Sequence, residues 1–443
     1  MTSHIIGRRG VLAGTATLLT APALAQGPQQ GGGQSAAITV DRARTEPIPI
    51  AIPAFSGTEL AAQITGVITD NLARCGLFKP VGGGAAGGNP AEQPNFQAWK
   101  AAGAQALVTG SVAGGGNAVR VEFRLWDVLP GTQIQGTAYT TTQANWRRIA
   151  HIISDVIYER LLGEKGYFDT RIVYVAGTGP RDRRVKRLAI MDQDSANNRF
   201  LTDGTWLVLT PRFHPSRDEI VFMSYANNKP RVYLFNLGSG RQQALGEYEG
   251  ITFAPRFNPD GSSVIMSVTR NGGSDIISVG LGGGSRQLTN SGAIDTSPCY
   301  NPDGSQIVFN SDRGGDQQLY VMDAGGGGVR RISFGNGRYA TPVWSPRGDL
   351  IAFTRLGSGS FGIGVMRPDG SGERILSESF LVEGPTFAPN GRVIMFYRES
   401  PARDSRGNGF GSRLVSIDIT GFNERAITTP TDGSDPAWSP LLA

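Results

Sequence analysis

The chain has 443 residues, of which 62 are glycine and 18% are charged. This composition favours many short strands joined by tight turns over a helical bundle, and 39% hydrophobic residues exclude a globally disordered chain. The formal net charge is only +5, and the basic residues are spread along the chain rather than clustered. Nucleic acid is therefore not an expected partner.

The first 25 residues have the features of an export signal. A pair of arginines at positions 8 and 9 precedes a short apolar stretch, and the small residues Ala23 and Ala25 predict cleavage before Gln26. The paired arginines fit a twin-arginine signal, and the segment also fits a general secretory one. The Gly/Gln-rich segment 26–36 that follows is predicted to be a flexible arm.

Residues 37–166 are predicted to form a small α/β domain. Apolar residues recur at helical spacing in two segments, which predicts amphipathic helices over 58–75 and 146–161. A short helix is expected at 96–102. Strands are expected at 38–40, 48–52, 106–112, 119–128 and 133–141. The apolar faces of these elements are assigned to the core of the domain.

From residue 168 onward the chain repeats one unit. A Pro-x-aromatic-x-Pro motif occurs six times, beginning at Pro211, Pro255, Pro298, Pro342, Pro385 and Pro436. Neighbouring motifs are about 40–50 residues apart, which is the spacing of propeller blades. Each motif is followed by a tight turn such as Asp260-Gly261, an apolar strand, an alternating strand and a short Arg-rich strand. Four strands per unit correspond to one blade.

The two ends of the repeat region predict how the ring closes. Ile172–Tyr174 has the pattern of a second strand with no first strand before it, and Pro436–Pro440 has the pattern of a first strand with no second strand after it. Together they would make a sixth blade from both ends of the region, leaving no open sheet edge. The predicted fold is a small α/β domain followed by an all-β, six-bladed propeller over 167–443.

Residues suited to catalysis or metal binding are scarce. Beyond the export signal the only histidines are His151 and His214, and no G-x-S-x-G elbow or P-loop occurs. The Asp-Gly pairs lack the spacing of a calcium loop, and Cys75 and Cys299 are expected to be free. No catalytic residue, cofactor or metal is therefore predicted.

An enzyme remains the alternative hypothesis, in the form of a propeller hydrolase or lyase acting on peptides or oligosaccharides. The peptidase version needs a hydrolase domain after the propeller. The sugar-cleaving version needs clustered histidines or paired carboxylates in the channel.

The segments that join the last strand of one blade to the first strand of the next differ in sequence. They comprise residues 246–254, 290–297, 334–341, 377–384 and 429–435. Variable loops on a rigid scaffold are common binding sites, and the aromatic residues Tyr248, Phe253 and Tyr339 within them are typical of binding patches. This pattern predicts a protein that binds other proteins.

The order of these features resembles the TolB family of the Tol-Pal system. The similarity extends over residues 38–443. It is carried by the signal, the α/β domain and the six repeats, by Gly103–Gly110 after Ala98-Trp99, and by the terminal stretch Asp435–Leu442.

The resemblance implies a monomeric periplasmic protein that supports outer-membrane integrity and invagination during cell division. It implies that the propeller binds the lipoprotein Pal and that the N-terminal region binds TolA. The implied TolA-binding arm consists of Ile38, Thr39, Val40, Asp41 and Arg42. The implied Pal-facing residues, at or near the position before each motif, are Tyr248, Ile251, Phe253, Ala254, Asp295, Thr296, Ser297, Tyr339, Thr341 and Glu383.

Overall fold

The computed structural model describes residues 46–82, 89–115, 117–180, 183–270, 272–402 and 409–442. The predicted export signal, the Gly/Gln-rich segment 26–36, the predicted strand at 38–40 and the implied TolA-binding arm at 38–42 lie outside the described residues. Among the helices that are described, none combines the length and the apolar character needed to cross a membrane.

The N-terminal domain is an α/β sandwich. Its strands are β1 (Ile48–Ala51), β2 (Ser56–Gly57), β3 (Phe78–Val81), β4 (Ala106–Gly115), β5 (Ala118–Asp127) and β6 (Thr132–Thr142). Its helices are α1 (Leu60–Arg74), α2 (Phe96–Ala101) and α3 (Trp146–Leu162). The sheet has the order β3-β1-β4-β5-β6, with β2 paired to β4. Strands β3, β1 and β4 run parallel, and β4, β5 and β6 are antiparallel.

The apolar periodicity explains the two long helices. Ile64 and Ile68 of α1 and Ile153 and Ile157 of α3 are fully buried in one hydrophobic cluster. Helix α1 ends before Gly76, whose φ of +78° is one that glycine adopts without steric cost. Sequence periodicity did not predict β3, because it is only four residues long and contains a proline, which only an edge strand tolerates.

The propeller has five blades formed by consecutive strands. Blade 1 consists of β10 (Val208–Phe213), β11 (Glu219–Ser224), β12 (Arg231–Asn236) and β13 (Gln242–Ala244). Blade 2 consists of β14 (Thr252–Phe257), β15 (Ser263–Arg270), β16 (Gly273–Gly280) and β17 (Ser285–Gln287). Blade 3 consists of β18 (Thr296–Tyr300), β19 (Gln306–Ser311), β20 (Gln318–Asp323) and β21 (Arg330–Arg331). Blade 4 consists of β22 (Arg338–Trp344), β23 (Ile351–Leu356), β24 (Phe361–Met366) and β25 (Arg374–Ser379). Blade 5 consists of β26 (Leu381–Phe387), β27 (Val393–Ala402), β28 (Gly409–Asp418) and β29 (Arg425–Ile427).

The sixth blade joins the two ends of the region, as the sequence predicted. It comprises β30 (Asp432–Trp438), β7 (Arg171–Thr178), β8 (Val185–Asp192) and β9 (Arg199–Phe200). Strand β30 is antiparallel to β7, with Trp438 opposite Ile172. The prediction of a six-bladed propeller behind a small α/β domain is confirmed. We refer to this sixth blade as the closing blade.

Antiparallel four-stranded blades give the propeller two distinct faces. The turns between first and second strands and between third and fourth strands emerge on one side, which we call the turn face. The turns between second and third strands emerge on the other side. The segments that lead from one blade to the next lie there too, and we call this side the connector face. Every predicted Pal-facing residue belongs to a blade-to-blade segment or to the strand start beside it.

The N-terminal domain sits on the turn face. Asn390, in the first turn of blade 5, donates to the Lys165 carbonyl over 3.1 Å, and Arg347, in the first turn of blade 4, pairs with Glu164 over 2.8 Å. Asn423, between β28 and β29, donates to the carbonyl of Arg74 at the end of α1 over 3.0 Å. The connector face is therefore the face that the N-terminal domain leaves free.

The core continues from the N-terminal domain into the closing blade. Tyr167 packs edge-on against Trp438, with ring centroids 5.7 Å apart, and the Trp438 indole N–H donates to the Thr170 hydroxyl over 2.8 Å. One hydrophobic cluster includes α1, α3 and the first strand of the closing blade. The strand that closes the ring thus also anchors the N-terminal domain.

Candidate protein-binding face

The innermost strand of every blade carries a β-bulge at the same place. The strand register shifts around the residue that precedes the first proline of each motif. These six residues all have positive φ, between +47° and +70°, and we call them the bulge ring: Thr210, Ala254, Ser297, Thr341, Gly384 and Asp435.

The bulge ring is a strained arrangement, because only one of its six members is glycine. A left-handed conformation costs an L-residue about 1–2 kcal/mol, and β-branched residues such as Thr210 and Thr341 adopt it least readily. Backbone strain of this kind is concentrated at functional sites, and bulges frequently redirect side chains beside such sites. The ring is therefore a candidate functional feature.

All six members of the bulge ring line one cavity of about 240 Å³ at the mouth of the central channel. Its wall also includes side chains that lie near the bulges. These are Lys186, Leu209, Arg212, Pro255, Arg256, Glu383 and Tyr397. Three of the predicted Pal-facing residues, Ala254, Ser297 and Thr341, are thus brought together in the ring, and Glu383 lies beside them.

The charges around the channel mouth are separated. Glu383 accepts a 2.8 Å hydrogen bond from the Tyr397 hydroxyl, and burial raises the pKa of both groups. On the side of blades 1 and 2, Arg212 and Arg256 line the same cavity. Burial, together with the neighbouring Arg256, lowers the pKa of Arg212 to about 9. Glu383 and Asp435 thus give the channel mouth an acidic side and the two arginines a basic side, with Lys186 of the closing blade as a further cation.

Exposed apolar side chains also lie on the connector face. The blade-to-blade segments present Trp206, Leu207, Ile251, Ile294, Phe334 and Phe380 to solvent, and we call this set the apolar rim. Phe334 is 71% exposed and Phe380 is 57% exposed. The ring of Phe380 stacks on that of Phe410, near the start of β28 in blade 5, at 5.5 Å between centroids. Several exposed apolar groups on one face make it a candidate interaction surface.

Two of the predicted contact residues are not surface residues. The Tyr339 ring is fully buried, and its hydroxyl donates to Glu373 over 2.8 Å, with burial and that carboxylate raising its pKa to about 12. Asp295 is also fully buried and accepts two hydrogen bonds from Arg313, at 2.8 and 2.9 Å. Both side chains hold the blade-to-blade segments in place and cannot themselves offer the contact that was expected of them.

The remaining predicted residues lie near the surface. Ile251 is exposed in the apolar rim, while Tyr248 and Phe253 are half-buried beneath it. Thr296 is half-buried, and its hydroxyl accepts a hydrogen bond from Asn310 over 2.6 Å.

Sequence reasoning missed Thr210, Gly384 and Asp435, although they occupy the same position before the motif proline as Ala254 and Ser297. It also missed most of the apolar rim, because single apolar residues in loops carry no periodic signal.

The candidates for catalysis or metal binding lie away from this face. His214 is buried in the first turn of blade 1, where its Nδ1 accepts from the backbone N–H groups of Ser216 and Arg217. Among the described residues one group has donor atoms close enough for a cation, namely His151, Asp192 and Asp194. It lies where α3 of the N-terminal domain meets the closing blade, and there the Arg147 guanidinium pairs with Asp194 and already supplies the positive charge.

Comparison with known proteins agrees with this architecture. Residues 158–442 match the sequence model of the TolB beta propeller domain, and residues 36–134 match that of the TolB amino-terminal domain. The chain is 62% identical to a Tol-Pal system protein TolB of Gluconobacter oxydans, over 99% of this chain and 97% of that protein. The chain belongs to the TolB family.

Further relatives extend the match to another organism and to a solved structure. The TolB of Paramagnetospirillum magneticum is 53% identical, over 91% of this chain and 93% of its own length. A crystal structure of TolB from Acinetobacter baumannii superimposes with a TM-score of 0.78 at 27% identity, covering 90% of this chain and 98% of that one.

Membership settles two of the predictions. The protein is a component of a Tol-Pal system. The TolB family is non-catalytic, so the hypothesis of a propeller hydrolase or lyase is not retained.

Proposed function

We propose that this TolB family member is a periplasmic, monomeric adaptor that binds the lipoprotein Pal on the connector face and binds TolA through residues 38–42. In this role it would support outer-membrane integrity and the invagination of the outer membrane during division. The observation that carries the Pal assignment is the apolar rim around the bulge ring, on the one propeller face that the N-terminal domain leaves uncovered.

The composition of this face supports a protein as its partner. Protein interfaces combine an apolar or aromatic patch with polar groups, and they bury about 800 Å² on each partner. Phe334, Phe380 and Ile251 supply exposed apolar groups from three different blade-to-blade segments. The channel mouth at their centre supplies charged groups of both signs.

The proposal is tested by calorimetric titration of the mature chain with the soluble domain of Pal. Phe380→Asp is expected to weaken binding by more than about tenfold, because aromatic anchors in an interface carry much of its free energy. Phe422→Asp is the matched control, since Phe422 is equally exposed, at 59%, in a turn of blade 5 on the turn face. Equal affinities for the two variants would place the Pal site elsewhere.

The TolA assignment has a separate test. Deletion of residues 38–42 is expected to abolish binding of the soluble TolA domain and to leave Pal affinity within about twofold, because these residues precede the first described strand. Retention of TolA binding by the deletion variant would contradict the assignment.

A further inference from the structure

Two arginines occupy equivalent positions in neighbouring blades. Arg212 and Arg256 each follow the first proline of their motif, in the innermost strands of blades 1 and 2. The same position in the other blades holds an uncharged residue, namely Cys299, Val343, Thr386 or Ala437. The repeat geometry therefore places two guanidinium groups side by side on one wall of the channel mouth.

Neither guanidinium is neutralised by a carboxylate. Among the described residues no acidic group lies within 4.0 Å of either side chain, and Arg212 donates only to its neighbour, the Pro211 carbonyl, over 2.6 Å. Arg392, by contrast, pairs with Asp418 over 2.8 Å in the core of blade 5. An unpaired guanidinium in a half-buried position is costly, because solvation by water is reduced and no counter-charge replaces it.

The acidic groups of the channel mouth do not neutralise the positive charges of Arg212 and Arg256. Asp435 attracts Arg212, but the combined effect of burial and of Arg256 is larger, and the pKa of Arg212 is lowered. Glu383 is engaged by Tyr397, and Lys186 adds a third cation to the cavity wall. Among the described residues, therefore, no carboxylate pairs with the arginines on the basic side of the mouth, and a bound ligand could supply this negative charge.

We propose that Arg212 and Arg256 form a carboxylate-binding site at the mouth of the propeller channel. Guanidinium groups present planar pairs of N–H donors that match the two oxygens of a carboxylate, which makes an arginine pair selective for this chemistry. The carboxylate can come from an acidic side chain of a protein docked on the connector face or from a small free molecule. The first source rests on the function proposed above, and the second does not.

The test compares two probes on the mature chain and its variants. Citrate, as a free carboxylate, is titrated into the protein and followed by NMR, and the soluble domain of Pal is titrated by calorimetry. Arg256→Gln and Arg212→Gln are each expected to weaken binding of at least one probe by about 10-fold or more, because hydrogen bonds to charged groups carry that much free energy. Arg256→Lys keeps the charge but loses the planar guanidinium group. Its affinity for the probe is expected to lie between those of Arg256→Gln and wild type.

Arg241→Gln is the control, because Arg241 is exposed in the turn before β13 and lies outside the channel mouth. Far-ultraviolet circular dichroism establishes that each variant is folded. Loss of Pal affinity in the arginine variants identifies a docked protein as the source of the carboxylate. Loss of citrate binding with unchanged Pal affinity identifies a free carboxylate.

The remaining outcomes separate the two proposals. If wild type binds citrate through these arginines but does not bind Pal, the carboxylate site stands and the proposed function fails. The carboxylate site is refuted if both arginine variants bind citrate and Pal with the affinities of wild type. It is also refuted if wild type binds only Pal and the arginine variants bind Pal with the same affinity.

Discussion

The turn face and the connector face of this propeller are built from the same repeat but differ in what covers their side chains. On the turn face, polar turns are bonded to the N-terminal domain, as between Asn390 and Lys165, and the core continues across the junction. On the connector face, apolar side chains such as Phe334 remain exposed, and strained bulges line an open cavity. The turn face therefore contributes contacts to the junction with the N-terminal domain, whereas the connector face carries the features on which the proposed Pal site rests.

The largest effect is expected where the ring closes. Trp438→Ala should lower the free energy of unfolding by about 3–5 kcal/mol, because it removes a buried indole that packs on Tyr167 and bonds Thr170. Phe334→Ala, in the apolar rim at 71% exposure, should change it by less than about 0.5 kcal/mol. Urea unfolding measures both. Similar losses for the two variants would contradict the division between the faces.

A smaller loss is expected from the polar network that joins the domains. Asn71 is fully buried, contacts His151 and Ser154 on α3, and accepts a 3.0 Å hydrogen bond from Gln193 of the closing blade. Asn71→Ala removes the hydrogen-bond partner of the buried His151 Nδ1 and of the Gln193 amide, and it should cost about 1–3 kcal/mol in unfolding free energy, with unchanged Pal affinity. Gln243→Ala, on an exposed outer strand, is the control and should have no measurable effect.

The same junction predicts a pH dependence. Burial raises the pKa of Asp155 to about 7, although its carboxylate accepts from the backbone N–H groups of Phe168 and Asp169. The unfolded chain releases this proton near pH 4, so between about pH 4 and 7 the folded state holds more protons and its stability falls as the pH rises.

Asp155→Asn should remove this contribution, which is at most about 1.4 kcal/mol per pH unit. The measurement is the difference in unfolding free energy between wild type and variant at four pH values from 4.5 to about 7.5. Curves that run parallel for the two proteins would show that Asp155 does not titrate in this window.

The smallest effect is expected in the bulge ring. Ala254→Gly should raise the unfolding free energy by about 0.5 kcal/mol, because relief of the left-handed strain exceeds the extra backbone entropy of glycine. Gly384→Ala, at the equivalent position of blade 5, should lower it by about 1 kcal/mol. Thermal unfolding of the pair should show opposite signs. A destabilised Ala254→Gly would mean that the bulge is not strained.

The sequence by itself determined the architecture, because the blades and the two long helices carry their own periodic signals, whereas the short edge strand β3 does not. The spacing of Pro211, Pro255 and the later motifs required blades, and the unmatched strand patterns around Ile172 and Pro436 required closure by the chain end. The long helices α1 and α3 followed from the apolar residues on one face of each.

Tertiary structure alone decided which residues of the connector face are accessible. Tyr339 and Asp295 had the residue types and positions of surface contacts, yet neighbouring strands bury both. Arg212 and Arg256 are 44 residues apart in the sequence, but the repeat brings them onto the same cavity wall. Exposure and proximity depend on how blades pack around the channel, and that packing arises from contacts between distant segments that no local pattern records.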